Sequence, residues 1–279
     1  MRVAQSADIQ SLDPWNAMDD PTITVLRQVY EGLVDLEPGG FKIVPKLADS
    51  WTVSSDARVW TFRLHPGVTF HDGSAFDAQS VATNFGRGNA VARFGVGALI
   101  SSVQVPDPAT VVITLRTGYA PFLASLASGS FGIVNPVCLK LADWATAATA
   151  CAQGTGPFLV RPGAWRTGES VTLQRNPTYW GRDADGRALP YVDTLVFRAF
   201  RDDSASVAEL RAATVSVVLQ PAPSSLSPVR SDPNLAIRRR PSYDVSYLGI
   251  GTKPLESPDV RRAIAMAIDR GAIVQTVYG

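Results

Sequence analysis

The chain has 279 residues, of which 46% are hydrophobic and 18% are charged, so it can bury a substantial core and is large enough for two subdomains. Its 26 basic and 25 acidic side chains leave a net charge of +1, which provides no global field for binding nucleic acid or an anionic membrane. The composition excludes a disordered chain, and no apolar run approaches the ~20 residues of a transmembrane helix.

The first third of the chain predicts a helix followed by a β-hairpin. Apolar residues recur every three or four positions from Ile23 to Leu33, which predicts a helix with one face on the core. Two β-branched and aromatic runs, 50–53 and 59–64, then flank a turn of serine and aspartate. Asp77 stands where an N-cap would begin the next helix. The order of strand, turn, strand and helix predicts a small β-rich unit.

The last third alternates strands and helices. A strand at 194–200, a helix at 204–213 capped by Ser204, and a strand at 215–219 form one crossover unit. Such a unit crosses over right-handedly and lays its two strands parallel in a sheet covered by helices. From Val260 to Val277 the spacing of apolar residues predicts one long amphipathic helix.

Two cysteines, Cys138 and Cys151, lie close together with no histidine nearby. Two thiolates without further ligands do not complete a tetrahedral metal site. A disulfide is therefore favoured over two buried free thiols. A bonded pair would indicate an oxidising compartment.

Motifs for catalysis are missing from the sequence. It has no P-loop, no nucleophile elbow and no zinc-binding histidine pair. His65 and His71 each sit beside turn residues and are interpreted as turn histidines hydrogen-bonded to backbone. Adjacent carboxylates such as Asp202 and Asp203 diverge, which leaves a secreted α/β hydrolase as a remote alternative. We expect no enzymatic activity, no cofactor and no metal site.

Nine short motifs follow one another along the chain: SLDP at 11–14, YEGLV at 30–34, PKLADSW at 45–51, FHDG at 70–73, YAPF at 119–122, GTGPF at 154–158, RNPTYW at 175–180, LPYVD at 189–193 and VRRAIAMAIDR at 260–270. Each motif is weak alone, but their order across the whole chain is specific. In these motifs and their order the chain resembles the extracytoplasmic solute-binding proteins of ABC importers, family 5, the dipeptide, oligopeptide and nickel-binding class.

The resemblance implies a mixed α/β fold, a lobe of the type II periplasmic binding protein kind with an inserted β-rich subdomain. In this scheme residues 1–37 and 152–253 form a discontinuous sheet domain, 38–151 form the insertion, and 254–279 begin a second lobe. Family members run to about twice the length of one lobe. The chain is therefore expected to be a fragment with most of the second lobe missing, and to lack its signal peptide.

The resemblance also implies function. The expected protein is a periplasmic or otherwise extracytoplasmic importer component that captures di- or oligopeptides between lobes and delivers them to membrane permease subunits. Nickel chelates or oligosaccharides stay open as ligands, as does self-association of the truncated chain. Trp15 and Met18 have packing of the helix start as an alternative role, and at Gly251 the family often has an asparagine. The candidate ligand-binding residues are Trp15, Asn16, Met18, Asp19, Phe131, Tyr247, Gly249, Gly251 and Thr252.

Overall fold

Two β-sheets dominate the computed structural model, which describes residues 1–87, 95–145, 151–239 and 247–278. The strands are β1 (Arg2–Gln5), β2 (Val34–Leu36), β3 (Ile43–Pro45), β4 (Ala48–Val53), β5 (Val59–Leu64), β6 (Ile100–Asp107), β7 (Thr110–Leu115), β8 (Phe158–Arg166), β9 (Ser170–Arg175), β10 (Thr194–Ala199) and β11 (Val217–Val218). The α-helices are α1 (Asp20–Leu26), α2 (Ala78–Gly86), α3 (Phe122–Leu126), α4 (Pro136–Leu139), α5 (Asp203–Arg211), α6 (Ser227–Arg230), α7 (Pro258–Ala267) and α8 (Arg270–Ile273).

The larger sheet has five strands in the order β11-β1-β10-β9-β8, so the first strand of the chain lies between two of the last. Strand β1 is parallel to both β10 and β11, and β9 is antiparallel to its two neighbours. The predicted crossover with parallel strands is thus confirmed, with β1 inserted between them. Two details were wrong. The last strand covers only Val217–Val218, and the cap of α5 is Asp202, whose carboxylate accepts from the Ser204 and Ala205 amides.

The second sheet has four antiparallel strands in the order β4-β5-β7-β6. The predicted hairpin is confirmed as β4 and β5, and Trp60, Phe62 and Leu64 all turn to the buried face. Asp77 caps α2 as predicted, with its carboxylate accepting from the Ser80 amide at 2.8 Å. The hairpins β4–β5 and β6–β7 pair residues close in sequence, so local pattern predicts them, whereas the pairing of β5 with β7 joins distant segments.

Each sheet has its own buried cluster. Phe62, Phe70 and Phe122 lie in the cluster of the four-stranded sheet. Leu173 and Phe197 lie in that of the five-stranded sheet, which also includes Cys138. The predicted disulfide is confirmed, since the sulfur atoms of Cys138 and Cys151 are 2.11 Å apart.

Helix α1 is shorter than the prediction, since it ends at Leu26 although Tyr30 and Leu33 are buried as expected. The reason is a competing set of hydrogen bonds. The carbonyl oxygens of Gln28 and Val29 accept from the Phe158 and Gly156 amides, at 2.9 and 3.0 Å. Those carbonyls are directed at a distant segment and not along a helix axis, so the chain leaves the helical path after Leu26.

The single helix predicted from Val260 to Val277 was also wrong. Helix α7 ends at Ala267, Ile268 is extended, and the Asp269 carboxylate caps α8 by accepting from the Ala272 amide at 2.9 Å. A capping aspartate favours a helix start over helix continuation. Neither α7 nor α8 contains a buried residue. Within the described ranges, no helix combines the length and apolarity needed to cross a bilayer.

Candidate functional site

The carboxyl ends of β1, β10 and β11 meet at one edge of the five-stranded sheet, because the three strands run parallel. In open α/β sheets, ligands bind in the crevice outside such carboxyl ends. Residues 11–19 come soon after β1 and are called the β1 loop below. The β1 loop therefore lies where a ligand of such a sheet would bind.

Asp13 organises the start of the β1 loop. Its carboxylate accepts hydrogen bonds from the Trp15 amide at 3.0 Å and the Asn16 side chain at 3.2 Å, and it pairs with the Arg87 guanidinium. These contacts cap a short 3-10 turn formed by Pro14–Asn16. The carboxylate is almost fully buried, so its charge depends on Arg87 for compensation.

Two aromatic candidates, Trp15 and Phe131, are core residues in this structure. Trp15 is 1% exposed, its indole donates to the Gly132 carbonyl at 2.9 Å, and its ring centroid lies 5.0 Å from that of Phe131 and 5.1 Å from that of Phe85. The structure brings the two candidates together in an edge-on cluster that fixes the β1 loop to the core.

The other candidates in the β1 loop are either exposed to solvent or hydrogen-bonded within the protein. Asn16 is exposed, and Met18 is 68% exposed. Asp19 instead caps α1, with its two carboxylate oxygens accepting from the amide and hydroxyl of Thr22 at 2.9 and 2.8 Å. Asn16 and Met18 are therefore the side chains that the loop presents to solvent.

The second candidate segment lies outside the buried clusters. Tyr247 is 86% exposed, and Gly249, Gly251 and Thr252 are also exposed. The exposed ring of Tyr247 therefore does not join the aromatic cluster of Trp15 and Phe131. The sequence offered all of these residues as candidates for ligand contact, and the structure separates them into buried residues such as Trp15 and Phe131 and exposed ones such as Met18 and Tyr247.

Sequence reasoning missed a buried carboxylate, Glu31, at which four of the quoted motifs meet. The Glu31 side chain is 2% exposed. Its oxygens accept from the Tyr179 hydroxyl at 2.6 Å, the Thr155 hydroxyl at 2.8 Å and the Trp180 indole at 2.9 Å, and they pair with the Lys46 ammonium at 3.0 Å. The co-occurrence of the YEGLV, PKLADSW, GTGPF and RNPTYW motifs was the signal that could have found it.

This cluster is a joint and not a ligand site. Burial and the neighbouring Glu31 carboxylate raise the pKa of Tyr179, so the phenol stays a donor. A cavity beside the joint has a volume of about 80 Å³. Ligand pockets typically hold ~300 to 1,000 Å³, so this cavity is too small for a dipeptide. The joint instead links the helix α1 region to the segment before β4 and the segment after β9.

The two histidines also have structural partners. His71 is confirmed as a histidine bonded to backbone: its Nδ1 accepts from the Gly154 amide at 3.2 Å, and its Nε2 lies 3.0 Å from the Gly156 carbonyl. Burial lowers the pKa of His71, which favours the neutral ring. For His65 that interpretation was wrong, because its Nδ1 lies 2.6 Å from the Asp49 carboxylate and its ring packs on Trp180.

Comparison with known proteins agrees with this architecture. The profile of a family described as bacterial extracellular solute-binding proteins, family 5 Middle, matches residues 42–279. The chain belongs to this family. Among curated proteins it is similar to the glutathione-binding protein GsiB of Pectobacterium atrosepticum, with 30% identity over 99% of this chain and 53% of the relative. The chain thus spans about half the length of that relative.

Two solved structures are also similar to this chain over about half of their own length. The periplasmic binding protein DppA from Helicobacter pylori, in complex with the peptide STSA, has 27% identity and a TM-score of 0.72 over 84% of this chain and 49% of its own. NikZ from Campylobacter jejuni, in complex with Ni(L-His), has 25% identity and a TM-score of 0.83 over 99% of this chain and 54% of its own. The fold of this chain therefore matches about half of each of these two structures.

Proposed function

We propose that this chain is the first lobe of the substrate-binding component of an ABC importer, which captures short peptides and delivers them to permease subunits in the membrane. The observation that carries the proposal is the match to family 5 combined with a β1 loop that presents Asn16 and Met18 at the carboxyl end of β1. The relatives named above for glutathione and for a bound peptide favour peptides as the ligand class.

The mechanism we infer is capture by closure of two lobes. Backbone groups of the β1 loop would pair with an extended peptide, and side chains such as Met18 would contact the peptide side chains. Tyr247, Gly249, Gly251 and Thr252 would face the ligand at the crossing between lobes. Trp15, Phe131 and Asp19 would support the loop from beneath. No bond in the ligand changes in this cycle, so the chain is proposed to be a carrier and not an enzyme.

The domain division is part of the same proposal. Residues 1–37 with 152–253 would form the sheet domain, 38–151 the insertion, and 254–279 the start of the second lobe. The two larger sheets support this division, because β1 pairs with strands of the later segment while β4 to β7 pair with one another. The pair of β2 and β3 crosses the proposed boundary at residue 37. The disulfide supports an extracytoplasmic location, since such bonds persist in oxidising compartments.

A nickel chelate is the second candidate ligand, favoured by the likeness to NikZ. Among the described residues, no group of three or more histidine, cysteine, aspartate or glutamate side chains could hold a metal ion. Nickel would therefore arrive with its own small-molecule ligands. The side chains around it would then recognise the chelator and not the metal.

Calorimetry with purified protein tests these proposals. Glutathione, the dipeptide Met-Leu and Ni(L-His) are titrated into this chain and into a version extended through a second lobe. We expect peptide binding that is strong in the extended protein and far weaker in this chain, because one lobe cannot desolvate the ligand. A matched variant, Met18→Ala, should weaken binding without changing the unfolding midpoint. Failure of the extended protein to bind any of the three would contradict the proposal.

A further inference from the structure

A disulfide-closed stretch packs directly on the β1 loop. Residues 138–145, called the brace below, are tied to Cys151 by the bond from Cys138. The brace is also held by the Cys151 amide, which donates to the Trp144 carbonyl at 3.1 Å. On its other side, the Ala145 carbonyl accepts from the Leu12 amide at 3.0 Å. Adjacent residues of the brace thus face the disulfide and the β1 loop.

A second connection runs through side chains. The Trp144 ring is buried, and the Arg87 guanidinium lies 5.5 Å from its centroid and 5.9 Å from that of Trp15. The same guanidinium pairs with the Asp13 carboxylate, which caps the turn that includes Asn16. A cation enclosed by two indoles and a carboxylate has little freedom to move. Trp144 therefore constrains Arg87, and Arg87 constrains Asp13.

We propose that the brace positions the β1 loop, with Trp144 acting through Arg87 and Asp13 to fix the backbone that presents Asn16 and Met18. The ligand role of the loop rests on the proposed function, whereas the mechanical coupling does not. No brace residue forms a strand of either large sheet, although Cys138 and Trp144 pack in the buried cluster of the five-stranded sheet. Loosening the brace should therefore affect the β1 loop more than the strand pairing of either sheet. The Trp15 ring has its own contacts in the core, which limits the expected change to the start of the loop.

Hydrogen exchange measured by mass spectrometry tests the coupling without any ligand. In Trp144→Leu, which loses the cation–π contact, we expect the amides from Leu12 to Asn16 to exchange about tenfold faster than in the wild type. Trp144→Phe keeps an aromatic face and should restore slow exchange. Leu141→Ala is the matched control, because Leu141 lies in the brace but is 46% exposed. Amides of β5 and β9 should be unchanged in all three variants.

Three results of the exchange experiment would contradict the brace. Unchanged exchange in the β1 loop of Trp144→Leu, equal acceleration throughout both sheets, or an equal effect of Leu141→Ala would each overturn the proposal. If Trp144→Leu does not fold, the wild-type protein treated with dithiothreitol decides. Acceleration in the β1 loop beyond that of the β5 and β9 amides, which follow the loss of global stability, supports the brace, and equal acceleration in the loop and the sheets overturns it.

A titration with Met-Leu then tests the consequence for binding. Affinity should fall several-fold in Trp144→Leu and recover in Trp144→Phe. Faster exchange with unchanged affinity would overturn the positioning role. Failure of the extended wild-type protein to bind glutathione or Met-Leu would overturn the proposed function, while the exchange comparison would still decide whether the brace fixes the loop.

Discussion

The β1 loop and the C-terminal segment 247–278 differ in how their side chains are held. The loop is fixed by the brace, by Asp13 and by the buried Trp15 ring. In the C-terminal segment, α7 and α8 bury no residue, and Met266 is 78% exposed. Both segments have clear sequence patterns. A pattern therefore leads to buried side chains only where the chain also supplies a partner surface, and α7 and α8 bury none of their residues.

The largest expected effect on stability concerns the joint at Glu31. Glu31→Gln should lower the free energy of unfolding by about 3 kcal/mol, because the Lys46 ammonium loses its buried partner charge and the amide cannot accept from all three neutral donors. Urea unfolding followed by tryptophan fluorescence measures it. The exposed Glu169→Gln is the control and should change stability by less than ~0.5 kcal/mol. Equal stability of Glu31→Gln and the wild type would show that the joint does not stabilise the fold.

The next effect concerns the disulfide. Reduction of Cys138–Cys151, which are separated by 13 residues, should cost about 3 kcal/mol if the bond acts by restricting the unfolded chain. Urea unfolding with and without dithiothreitol gives the difference, with the double variant Cys138→Ser/Cys151→Ser as a control that should not respond to reductant. Intact mass after alkylation without reductant checks the bond itself. Two alkyl additions would contradict it.

A smaller effect is expected from pH. The pKa of His71 is lowered by burial, so below the unfolded value of about 6.5 the unfolded chain binds a proton that the folded chain does not. The free energy of unfolding should therefore decrease as pH falls from 7.5 to 5.5, by at most about 1.4 kcal/mol for each pH unit in this range. Urea midpoints across this range measure the slope. His71→Gln should flatten it, and a slope unaffected by His71→Gln would contradict the prediction.

The smallest effect on stability is expected in the C-terminal segment 247–278. Met266→Gln with Ile273→Gln should change the free energy of unfolding by less than ~0.5 kcal/mol, because both side chains are exposed. Ile113→Val, at a fully buried position, is the contrasting control and should cost about 1 kcal/mol. Light scattering on the same samples measures self-association, which the polar variant should reduce. A loss above ~1 kcal/mol in the polar variant would show that this segment is packed after all.

Sequence predicted what depends on neighbours along the chain. The β4–β5 hairpin and the Asp77 cap follow from residues a few positions apart and the disulfide from two cysteines 13 positions apart, and all three are confirmed. The end of α1 was missed because distant amides at Gly156 and Phe158 take its next carbonyls. The buried joint at Glu31 was missed for the same reason, since its four partners lie in motifs far apart in sequence.

The sequence constrains the site less than it constrains the fold. Aromatic residues such as Trp15 suit both a binding surface and a core, and only burial distinguishes the two roles. The structure shows Trp15 and Phe131 as core residues, while the ligand contacts of Asn16, Met18 and Tyr247 stay predictions. A sequence motif can belong to the scaffold of a fold as readily as to a ligand site. The motifs that meet at Glu31 belong to the scaffold, because they form the buried joint.

The central position of β1 has a consequence for the order in which the molecule assembles. Strand β1 is made first, yet its hydrogen-bonding neighbours are β10 and β11, whose residues begin at Thr194 and Val217. The four-stranded sheet needs only residues 48–115. Because closing long loops slows folding, we expect the four-stranded sheet to acquire protection first in pulse-labelling, with the N-terminal strand waiting unpaired until the chain has been made through residue 218.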